Sequence, residues 1–475
     1  MPFPLTDSLP HTCHAFADDA LGQDDAVALH EKLQRKECDA ASLLAAAYQR
    51  AQGINPKLSA IPYLAPWDTL NQALQKQEYP QASPPFFQSI PSFVKDNIGV
   101  AGMPTGFGTK TFRARPEKRD SPYARQFSAM GLTVLGKSSL PEFGLNASTE
   151  PVHTEATRNP WQLDFSCGAS SGGAAALVAA GVVPLAHGND GGGSIRIPAA
   201  CCGLVGLKVS RGRHVNEPIA RALPINIISE GVLTRSVRDT AYFHHAAQKY
   251  YLNPKLPALP LITESRGRRL RIGCFTDSVT GFSTDQATRQ ATLKMAERLA
   301  KAGHQVEEMR FPVSAQFGDD FGLYWGMLAY LVKKTGKLAL NRKFSAHKLD
   351  PLSLGLAQHY QKNMHRTPFM LARLKKSGKQ FQSAFKHYDL YLSPVLAQTP
   401  RPLGELRPDQ DFDILFERLM RYASFTPMAN IAGTPALSLP GGLSDQGLPI
   451  GIQLCAGFGR EQDLLEIAYE IEASA

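Results

Sequence analysis

The chain of 475 residues is 43% hydrophobic and 20% charged, which is ordinary for a soluble globular protein. Its formal charge of +9 comes from scattered basic residues that accompany no nucleic-acid-binding motif, so we expect no nucleic acid partner. The longest apolar run, residues 321–332, is shorter than the ~20 residues of a membrane-spanning helix, so we expect no membrane partner either.

The cysteines and the first residues of the chain favour a reducing compartment. The seven cysteines are odd in number and form no metal-type pairs, which is typical of small buried side chains. Residues 1–7 have neither the basic start nor the apolar core of a signal peptide. We therefore expect a cytoplasmic protein that holds no metal and no cofactor.

The N-terminal part of the chain predicts helices around one short strand. Apolar residues at helical spacing predict two helices within residues 24–51, with Asp39 and Ser42 as capping positions for the second. Residues 58–64 are strand-like, and residues 68–77 are predicted to be helical.

An alternation of strands and helices follows. Residues 90–100 read as a buried strand, residues 122–130 as a helix and residues 132–137 as a second strand. This pattern predicts an α/β fold with a central mixed β-sheet and helices on both faces. Since no linker, repeat or charge block divides the chain, we expect one large domain.

Lys95 interrupts the apolar run of residues 90–100. Burial disfavours the charged ammonium and lowers a lysine pKa toward the range of a useful base. Lys137, which ends the next strand, is a competing buried lysine. We expect Lys95, rather than Lys137, to take part in chemistry.

Two turns of small residues flank an Ala-rich helix over residues 174–180. The first turn holds Ser170 and Ser171, and it opens the helix where backbone N–H groups are unpaired. Residues 182–185 are predicted as a short buried strand that leads into the second turn.

The second turn is Gly191-Gly192-Gly193-Ser194. Consecutive glycines are tolerated where the backbone must approach another group closely. A serine beside free N–H donors suits a nucleophile next to an oxyanion hole. His187 is the nearest histidine, but we expect it to be structural, which leaves Lys95 as the candidate base.

The second half of the chain predicts further strands, helices and a long helical region. Helices are expected over residues 237–251, 285–302 and 463–474, and strands over residues 270–275, 304–309 and 388–394. Residues 311–393 are mostly helical. Their aromatic residues Tyr324, Trp325 and Tyr330 are expected in the core rather than in a pocket.

Three separated motifs resemble the amidase signature family, serine hydrolases with a Ser–cis-Ser–Lys triad. They are Val94-Lys95-Asp96-Asn97, Gly-x-Ser170-Ser171-Gly-Gly and Gly188-x-Asp190-x-Gly-Gly-Ser194-Ile-Arg196-x-Pro198, with the two serines 24 residues apart. Residues 425–440 resemble the family again. The resemblance spans residues 26–472 and is weakest over residues 255–385.

The resemblance implies a single amidase-signature domain over residues 1–475. Its core motifs would occupy residues 90–210 and 388–472, and a variable helical region, about residues 255–385, would shape the substrate pocket. The partner implied is a small-molecule amide. The sequence leaves open whether the protein forms a homo-oligomer.

The resemblance also implies roles for the motif residues. Ser194 would attack an amide carbonyl, and Ser170, held by a cis peptide bond, would relay protons between Ser194 and Lys95. The three glycines Gly191, Gly192 and Gly193 would form the oxyanion hole. Supporting roles fall to Ser171, Asp190 and Arg196. The products would be a carboxylate and ammonia or an amine.

Two alternatives remain open. One is a glutaminase-type A subunit of a glutamyl-tRNA amidotransferase, whose motif has Gln where this chain has Ile197. The other is a catalytically silent binding protein of the same fold. The segment Asn189-Asp190-Gly191 resembles a branch of the family that includes 6-aminohexanoate cyclic-dimer hydrolases. Because glycine at position 191 has no side chain beside the oxyanion hole, it would widen the access of a substrate to Ser194.

Overall fold

A computed structural model describes residues 12–75 and 85–474 of the chain. Strands and helices alternate along most of these residues. The α-helices are α1 Ala26–Gln34, α2 Ala40–Leu58, α3 Trp67–Gln75, α4 Pro122–Ala129, α5 Gly172–Ala179, α6 Arg196–Cys202, α7 Pro218–Ala222, α8 Val237–Ala247, α9 Gln286–Lys301, α10 Gln316–Ala339, α11 Pro351–Asn363, α12 Thr367–Ala384, α13 Phe412–Tyr422, α14 Pro427–Ala432 and α15 Glu461–Ala473. The strands are β1 Tyr63–Leu64, β2 Pro91–Lys95, β3 Thr133–Ser138, β4 Arg158–Asn159, β5 Gln162–Ser166, β6 Leu185–Asp190, β7 Val205–Lys208, β8 Ser229–Thr234, β9 Arg271–Cys274, β10 Gln305–Glu308, β11 Leu390–Pro394, β12 Ala436–Leu443 and β13 Pro449–Ala456.

The largest sheet has eight strands in the order β10-β9-β11-β13-β12-β7-β8-β6. Strand β9 pairs in parallel with both β10 and β11. The other neighbours in this sheet pair antiparallel. The sheet is therefore mixed, as the sequence predicts.

Helices cover both faces of the large sheet, and the alternation along β13 shows this directly. Ile452 and Leu454 pack into an apolar cluster with Met295 of α9 and Leu464 of α15. Gln453, between them, points to the opposite face, where Arg196 of α6 donates to its side-chain oxygen at 2.6 Å. The predicted α/β architecture is confirmed.

A second sheet, β1-β3-β2, stands beside the edge strand β6 of the large sheet. Strand β2 pairs in parallel with β3. The hydroxyl of Ser92 in β2 donates to the carbonyl oxygen of Leu185 in β6 at 3.0 Å. This contact brings Lys95, the last residue of β2, to the strand that leads into the glycine-rich turn.

The segment predicted as a strand over residues 58–64 is mostly not one. Helix α2 continues to Leu58, and Tyr63–Leu64 alone pair as β1. The amide groups of Ala60 and Ile61 donate to the Asn55 side chain at 2.9 and 2.8 Å, so a side chain holds this turn in place of a sheet partner. The predicted cap of α2 is confirmed as a reciprocal pair of hydrogen bonds between Asp39 and Ser42.

The strand predicted over residues 182–185 begins only at Leu185 and runs to Asp190 as β6. Its second half contains Gly188, Asn189 and Asp190, residue types that are rare in strands, which hid it in the sequence. The remaining predicted helices and strands are present with ends shifted by a few residues. Residues 76–77 of the third predicted helix lie outside the described residues.

The predicted helical region contains α10, α11 and α12. Helices α10 and α11 pack closely at Gly326, where a Cβ atom would lie 2.8 Å from the carbonyl oxygen of Leu356. Across the described ranges, none of the helices combines the length and the hydrophobicity needed to cross a bilayer.

Candidate active site

Lys95 is fully buried at the end of β2. Its Nζ atom lies 2.8 Å from Ser170 Oγ and donates to Asn189 Oδ1 at 2.7 Å. Burial lowers the pKa of Lys95 from its ordinary value of 10.5 to about 7, although the negative charges of Glu230 and Asp190 act in the opposite direction. A lysine with this pKa is partly neutral at neutral pH, as a general base must be.

His187 lies behind Lys95 on strand β6. Its Nδ1 accepts the backbone N–H of Lys95 at 3.2 Å, so the ring proton is on Nε2, which donates to Glu230 Oε2 at 3.0 Å. Burial and the charge of Lys95 lower the pKa of His187 well below its usual range, which keeps the ring neutral. Both ring nitrogens are engaged, so His187 is structural, as predicted.

Glu230 is a buried acid that the sequence analysis missed. It stands opposite Asn189 in the pairing of β6 with β8. Burial raises its pKa to about 8, against the effects of the Lys95 charge and of a hydrogen bond with the Asn189 side chain. Asn189 therefore bridges Lys95 and Glu230. No sequence signal marks Glu230, because its partner His187 lies 43 residues away.

Ser170 and Ser171 form the turn that precedes α5, and both are buried. The peptide bond between Ala169 and Ser170 is cis, as the resemblance implies. The backbone N–H of Ser171 donates to the carbonyl oxygen of Ser194 at 3.2 Å, and its hydroxyl donates to that of Asn189 at 3.3 Å. Ser171 thus joins the serine turn to the glycine-rich turn.

Asp190 and Arg196 are fully buried and form an ion pair with an N···O distance of 2.9 Å. Burial alone would raise the pKa of Asp190, but the Arg196 guanidinium holds it well below its usual range. Asp190 also accepts the backbone N–H groups of Gly193 at 2.8 Å and Ile195 at 3.2 Å. The pair therefore fixes the path of the chain around Ser194.

Three residues from the C-terminal part of the chain complete this network. Arg196 donates to Gln453 Oε1 and Asn430 Oδ1, each at 2.6 Å, and to the Thr426 carbonyl oxygen at 2.9 Å. Asn430 Nδ2 donates back to the Asp190 carbonyl oxygen at 2.9 Å. Asn430 and Thr426 lie within residues 425–440, a stretch that resembles the family, but the sequence does not indicate their roles.

One of the three glycines predicted for the oxyanion hole has no free N–H group in the structure. Gly193, predicted in the oxyanion hole, already donates its N–H to Asp190. Its need for glycine is steric, because φ is +130° and a Cβ would lie 2.3 Å from Thr426 Oγ1. The N–H groups of Gly191, Gly192 and Ser194 donate no hydrogen bond to any residue within 12–75 and 85–474.

Ser194 is half-buried and opens into a cavity that Ser170, Gly191 and Gly192 also line. Lys95 does not reach the cavity wall and contacts it only through Ser170 and Asn189. The structure thus brings the three predicted triad residues to one place, in the order Lys95, Ser170 and cavity-facing Ser194. The hydroxyl of Ser194 has no hydrogen-bond partner in the part of the chain described.

Lys137, the competing lysine, lies outside this arrangement. Its Nζ donates to the carbonyl oxygen of Ile98 and, at 3.4 Å, to Thr105 Oγ1. Burial lowers its pKa to about 8, against the nearby charge of Asp96. Lys137 therefore holds the loop after β2 and makes no contact with either serine.

One face of helix α10 forms a wall of the cavity. The residues on this face repeat every three or four positions, as one side of a helix requires: Phe317, Phe321, Tyr324, Trp325 and Leu328. Tyr324 is fully buried in the core, as expected, but Tyr324 and half-buried Trp325 also line the cavity, which the sequence did not predict. Tyr330 does pack inside the helical region, with its ring 5.3 Å from that of Tyr360.

Known proteins resemble this chain in both sequence and fold. The family model described as Amidase matches residues 42–465. The protein named "Putative amidase AmiC" of Mycobacterium leprae is 45% identical over 463 residues, covering 97% of each chain. The 6-aminohexanoate-cyclic-dimer hydrolase of Pseudomonas sp. (strain NK87) is 31% identical over 477 residues, covering 95% of this chain and 94% of its own.

A solved structure of a 6-aminohexanoate cyclic dimer hydrolase superimposes on the fold with a TM-score of 0.85. It is 28% identical and covers 95% of this chain and 97% of its own. The similarity therefore extends over nearly the whole length of both chains, including the variable helical region.

Proposed function

Because this chain belongs to the amidase signature family of carbon–nitrogen hydrolases, we propose that it cleaves amides through an acyl-enzyme on Ser194. One observation carries the proposal: Lys95 Nζ lies 2.8 Å from Ser170 Oγ, and Ser170 shares a cavity with Ser194. The products are a carboxylate and ammonia or an amine. No cofactor enters the reaction.

In the first step, neutral Lys95 accepts the Ser170 proton, and Ser170 takes the Ser194 proton. The Ser194 oxygen forms a bond to the amide carbonyl carbon, and the carbonyl electron pair moves onto oxygen. We assign the stabilisation of that oxyanion to the N–H groups of Gly191, Gly192 and Ser194. Losing one such donor typically costs about 3–4 kcal/mol in the barrier.

In the second step, the tetrahedral intermediate collapses and the carbon–nitrogen bond breaks. The proton held by Lys95 returns through Ser170 to the departing amine, which leaves neutral. Water then attacks the acyl-enzyme by the same proton path, giving the carboxylate and free Ser194. Lys95 ends each half-reaction in its starting protonation state.

Asp190 and Arg196 support this chemistry by holding the glycine-rich turn. Asp190 accepts a hydrogen bond from the N–H group of Gly193. The N–H groups of Gly191, Gly192 and Ser194 remain free to bind the substrate. Electrostatic stabilisation works best when donors are fixed before the reaction begins. A turn clamped by a buried ion pair satisfies this condition.

Two alternatives have less support. Ile197, which departs from the glutaminase-type motif, lines the cavity as an apolar side chain. A silent binding protein would have no need of a buried lysine on a serine hydroxyl. The relative named 6-aminohexanoate-cyclic-dimer hydrolase places cyclic amides among the substrates to test.

Intact-mass labelling with an alkyl fluorophosphonate, followed by peptide mapping, tests the proposal. We expect one adduct, on Ser194, in the wild-type protein and none in Ser194→Ala. The matched control is Ser236→Ala, a serine that caps α8 away from the cavity and should leave labelling intact. A folded wild-type protein that takes up no label, or takes it elsewhere, would refute the assignment.

A further inference from the structure

The cavity beside Ser194 has walls without charge. Of the described residues that line it, none is Asp, Glu, Lys, Arg or His. The walls are built mainly from aliphatic and aromatic side chains of several elements. They include Phe143, Ile197, Ile227, Val279, Phe321 and Met420.

Three sets of charged residues beside the cavity are buried behind its wall or paired within the protein. Lys95 is fully buried behind Ser170. Asp190 and Arg196 pair with each other under the glycine-rich turn. Asp320, on the wall helix α10, is buried against Arg373 with bonds of 2.7 and 2.5 Å. An ionic group on a substrate would therefore find no charged partner among the described residues that line the cavity.

Several polar side chains in the wall are also occupied by the protein itself, whereas the hydroxyl groups of Ser194 and Ser424 have no hydrogen-bond partner among the described residues. Asn146 donates to the Leu406 carbonyl oxygen at 2.9 Å, and its side-chain oxygen accepts the Ala147 N–H at 2.7 Å. Asn97 pairs with Asn189, and Thr280 with Ser278. The wall therefore offers a substrate mainly apolar contact.

The space around the glycine-rich turn is bounded by the same kind of surface. A Cβ atom on Gly192 would lie 3.3 Å from the ring of Phe321. A Cβ atom on Gly191 would lie 3.8 Å from the side chains of Ile227 and Ile228. The substrate groups nearest the scissile bond thus meet aromatic and aliphatic carbon on both sides.

Moving a charged group from water into such a cavity without a partner is strongly unfavourable. We infer that the substrate of this enzyme is an uncharged amide with an apolar body, and that the cavity excludes amides whose acyl chain carries a carboxylate or an ammonium. This inference rests on the proposed function and narrows it. It separates neutral cyclic, aryl and alkyl amides from linear amino-acid-derived amides.

Three p-nitroanilides of equal length test the inference on the full-length wild-type protein. Their acyl groups are heptanoyl, 6-aminohexanoyl and adipoyl, which end in a methyl, an ammonium and a carboxylate. We expect kcat/KM for the heptanoyl compound to exceed that of each charged compound by about 100-fold or more. A charged compound within about threefold of the neutral one, even for one sign of charge alone, would overturn the inference.

A binding readout makes the test independent of turnover. The corresponding primary amides, heptanamide, 6-aminohexanamide and adipic acid monoamide, are added before the fluorophosphonate. Heptanamide should slow Ser194 labelling at concentrations about 100-fold lower than the charged amides. Equal protection by all three would contradict a charge-excluding cavity.

A lysine in the cavity wall should narrow the preference for the neutral compound. Met420 lies half-buried on α13 and lines the cavity, and lysine has nearly the same length. Met420→Lys should raise kcat/KM for the adipoyl compound relative to heptanoyl by about 10-fold or more, and Met420→Gln should leave that ratio within threefold. No change in Met420→Lys would contradict the inference. If this variant fails to fold, the wild-type series still decides.

The experiments distinguish a failure of the proposed Ser194 chemistry from a failure of the inferred preference for uncharged amides. If the wild-type protein takes no fluorophosphonate on Ser194, the proposed function fails. If Ser194 is labelled normally but charged and neutral amides protect equally, the function stands and the inference alone is wrong.

Discussion

The Nζ atom of Lys95 lies 2.8 Å from the Oγ atom of Ser170, although 75 residues separate them in the sequence. Lys95 is the last residue of strand β2, and Ser170 lies in the turn before helix α5. Lys95 is fully buried and Ser170 nearly so, and Ser170 reaches the cavity that Ser194 lines. This contact is the centre of the proposed proton path.

Replacing the proposed base should abolish most of the activity while the fold survives. Lys95→Met keeps the side-chain length and removes the only proton acceptor next to Ser170 among the described residues, so kcat/KM should fall by about 10²–10⁴-fold. Hydrolysis of a neutral anilide measures the loss. The matched control is Lys137→Met, which should lower thermal stability but retain the wild-type pH profile. Comparable losses of activity in both variants would argue for a merely structural Lys95.

Glu230 should set the pH at which Lys95 becomes active. Burial raises the pKa of Glu230 to about 8, so its negative charge appears on the alkaline side of the Lys95 transition and there raises the pKa of Lys95. Glu230→Gln removes that charge, so the pKa of Lys95 falls. Because the neutral lysine is the active form, the rising limb of kcat/KM should move to lower pH. Measuring kcat/KM from pH 5 to 9 tests this. An unmoved limb, or one that moves to higher pH, would contradict the assigned coupling.

The buried ion pair under the glycine-rich turn should matter for both stability and activity. Asp190→Asn leaves Arg196 buried without a counter-charge, which typically costs about 3–5 kcal/mol of unfolding free energy. Urea denaturation measures the change. The control is Asp319→Asn on the exposed side of α10, where the change should stay within about 0.5 kcal/mol. Similar values for both variants would show that the pair does not hold the turn.

Adding a side chain at Gly191 should affect activity differently from adding one at Gly193. A Cβ on Gly191 meets Ile227 and Ile228 at ordinary contact distance, so Gly191→Thr should fold and narrow the cavity. We expect kcat/KM for a bulky amide to fall about tenfold more than for a small one, as a loss of a few apolar contacts would produce. Equal losses on both substrates would mean that this glycine does not set access.

Gly193→Ala is the matched comparison for Gly191→Thr. Its positive φ and the 2.3 Å approach of a Cβ to Thr426 Oγ1 mean that even one methyl group forces the turn to move. Small and bulky amides should therefore lose activity together, with a lower melting temperature. A fully active Gly193→Ala would show that the turn is less tightly fixed than the contacts indicate.

Much of the fold and the triad could be predicted because their signals are local. Lys95 interrupts an apolar strand, and Ser170 and Ser194 lie in turns of small residues, so each position is visible within about ten residues of sequence. Glu230, Asn430 and Gln453 act across strands or over more than 200 residues, and no local pattern marks such partners. The hydrogen bond from the Gly193 N–H to Asp190 was hidden for a different reason, because these residues are close in the sequence but the contact depends on the conformation of the Asp190 side chain.

The sequence pattern of α10 does not reveal that one face of this helix lines a cavity. An apolar helix face such as that of α10 has the same spacing whether it packs on protein or faces a substrate cavity. Tyr324 illustrates this, because it is fully buried and yet lines the cavity. Periodicity alone cannot tell the two environments apart.

The most direct test of the account is the pH dependence of Ser194 labelling by a fluorophosphonate, measured side by side in wild type and Lys95→Ala. We expect a wild-type rate that rises through a single transition near pH 7, where burial places the pKa of Lys95. In Lys95→Ala the rate should be low and lack this transition. A wild-type transition near 10, the ordinary lysine range, or the same transition in the alanine variant, would contradict the proposal that neutral Lys95 activates Ser194.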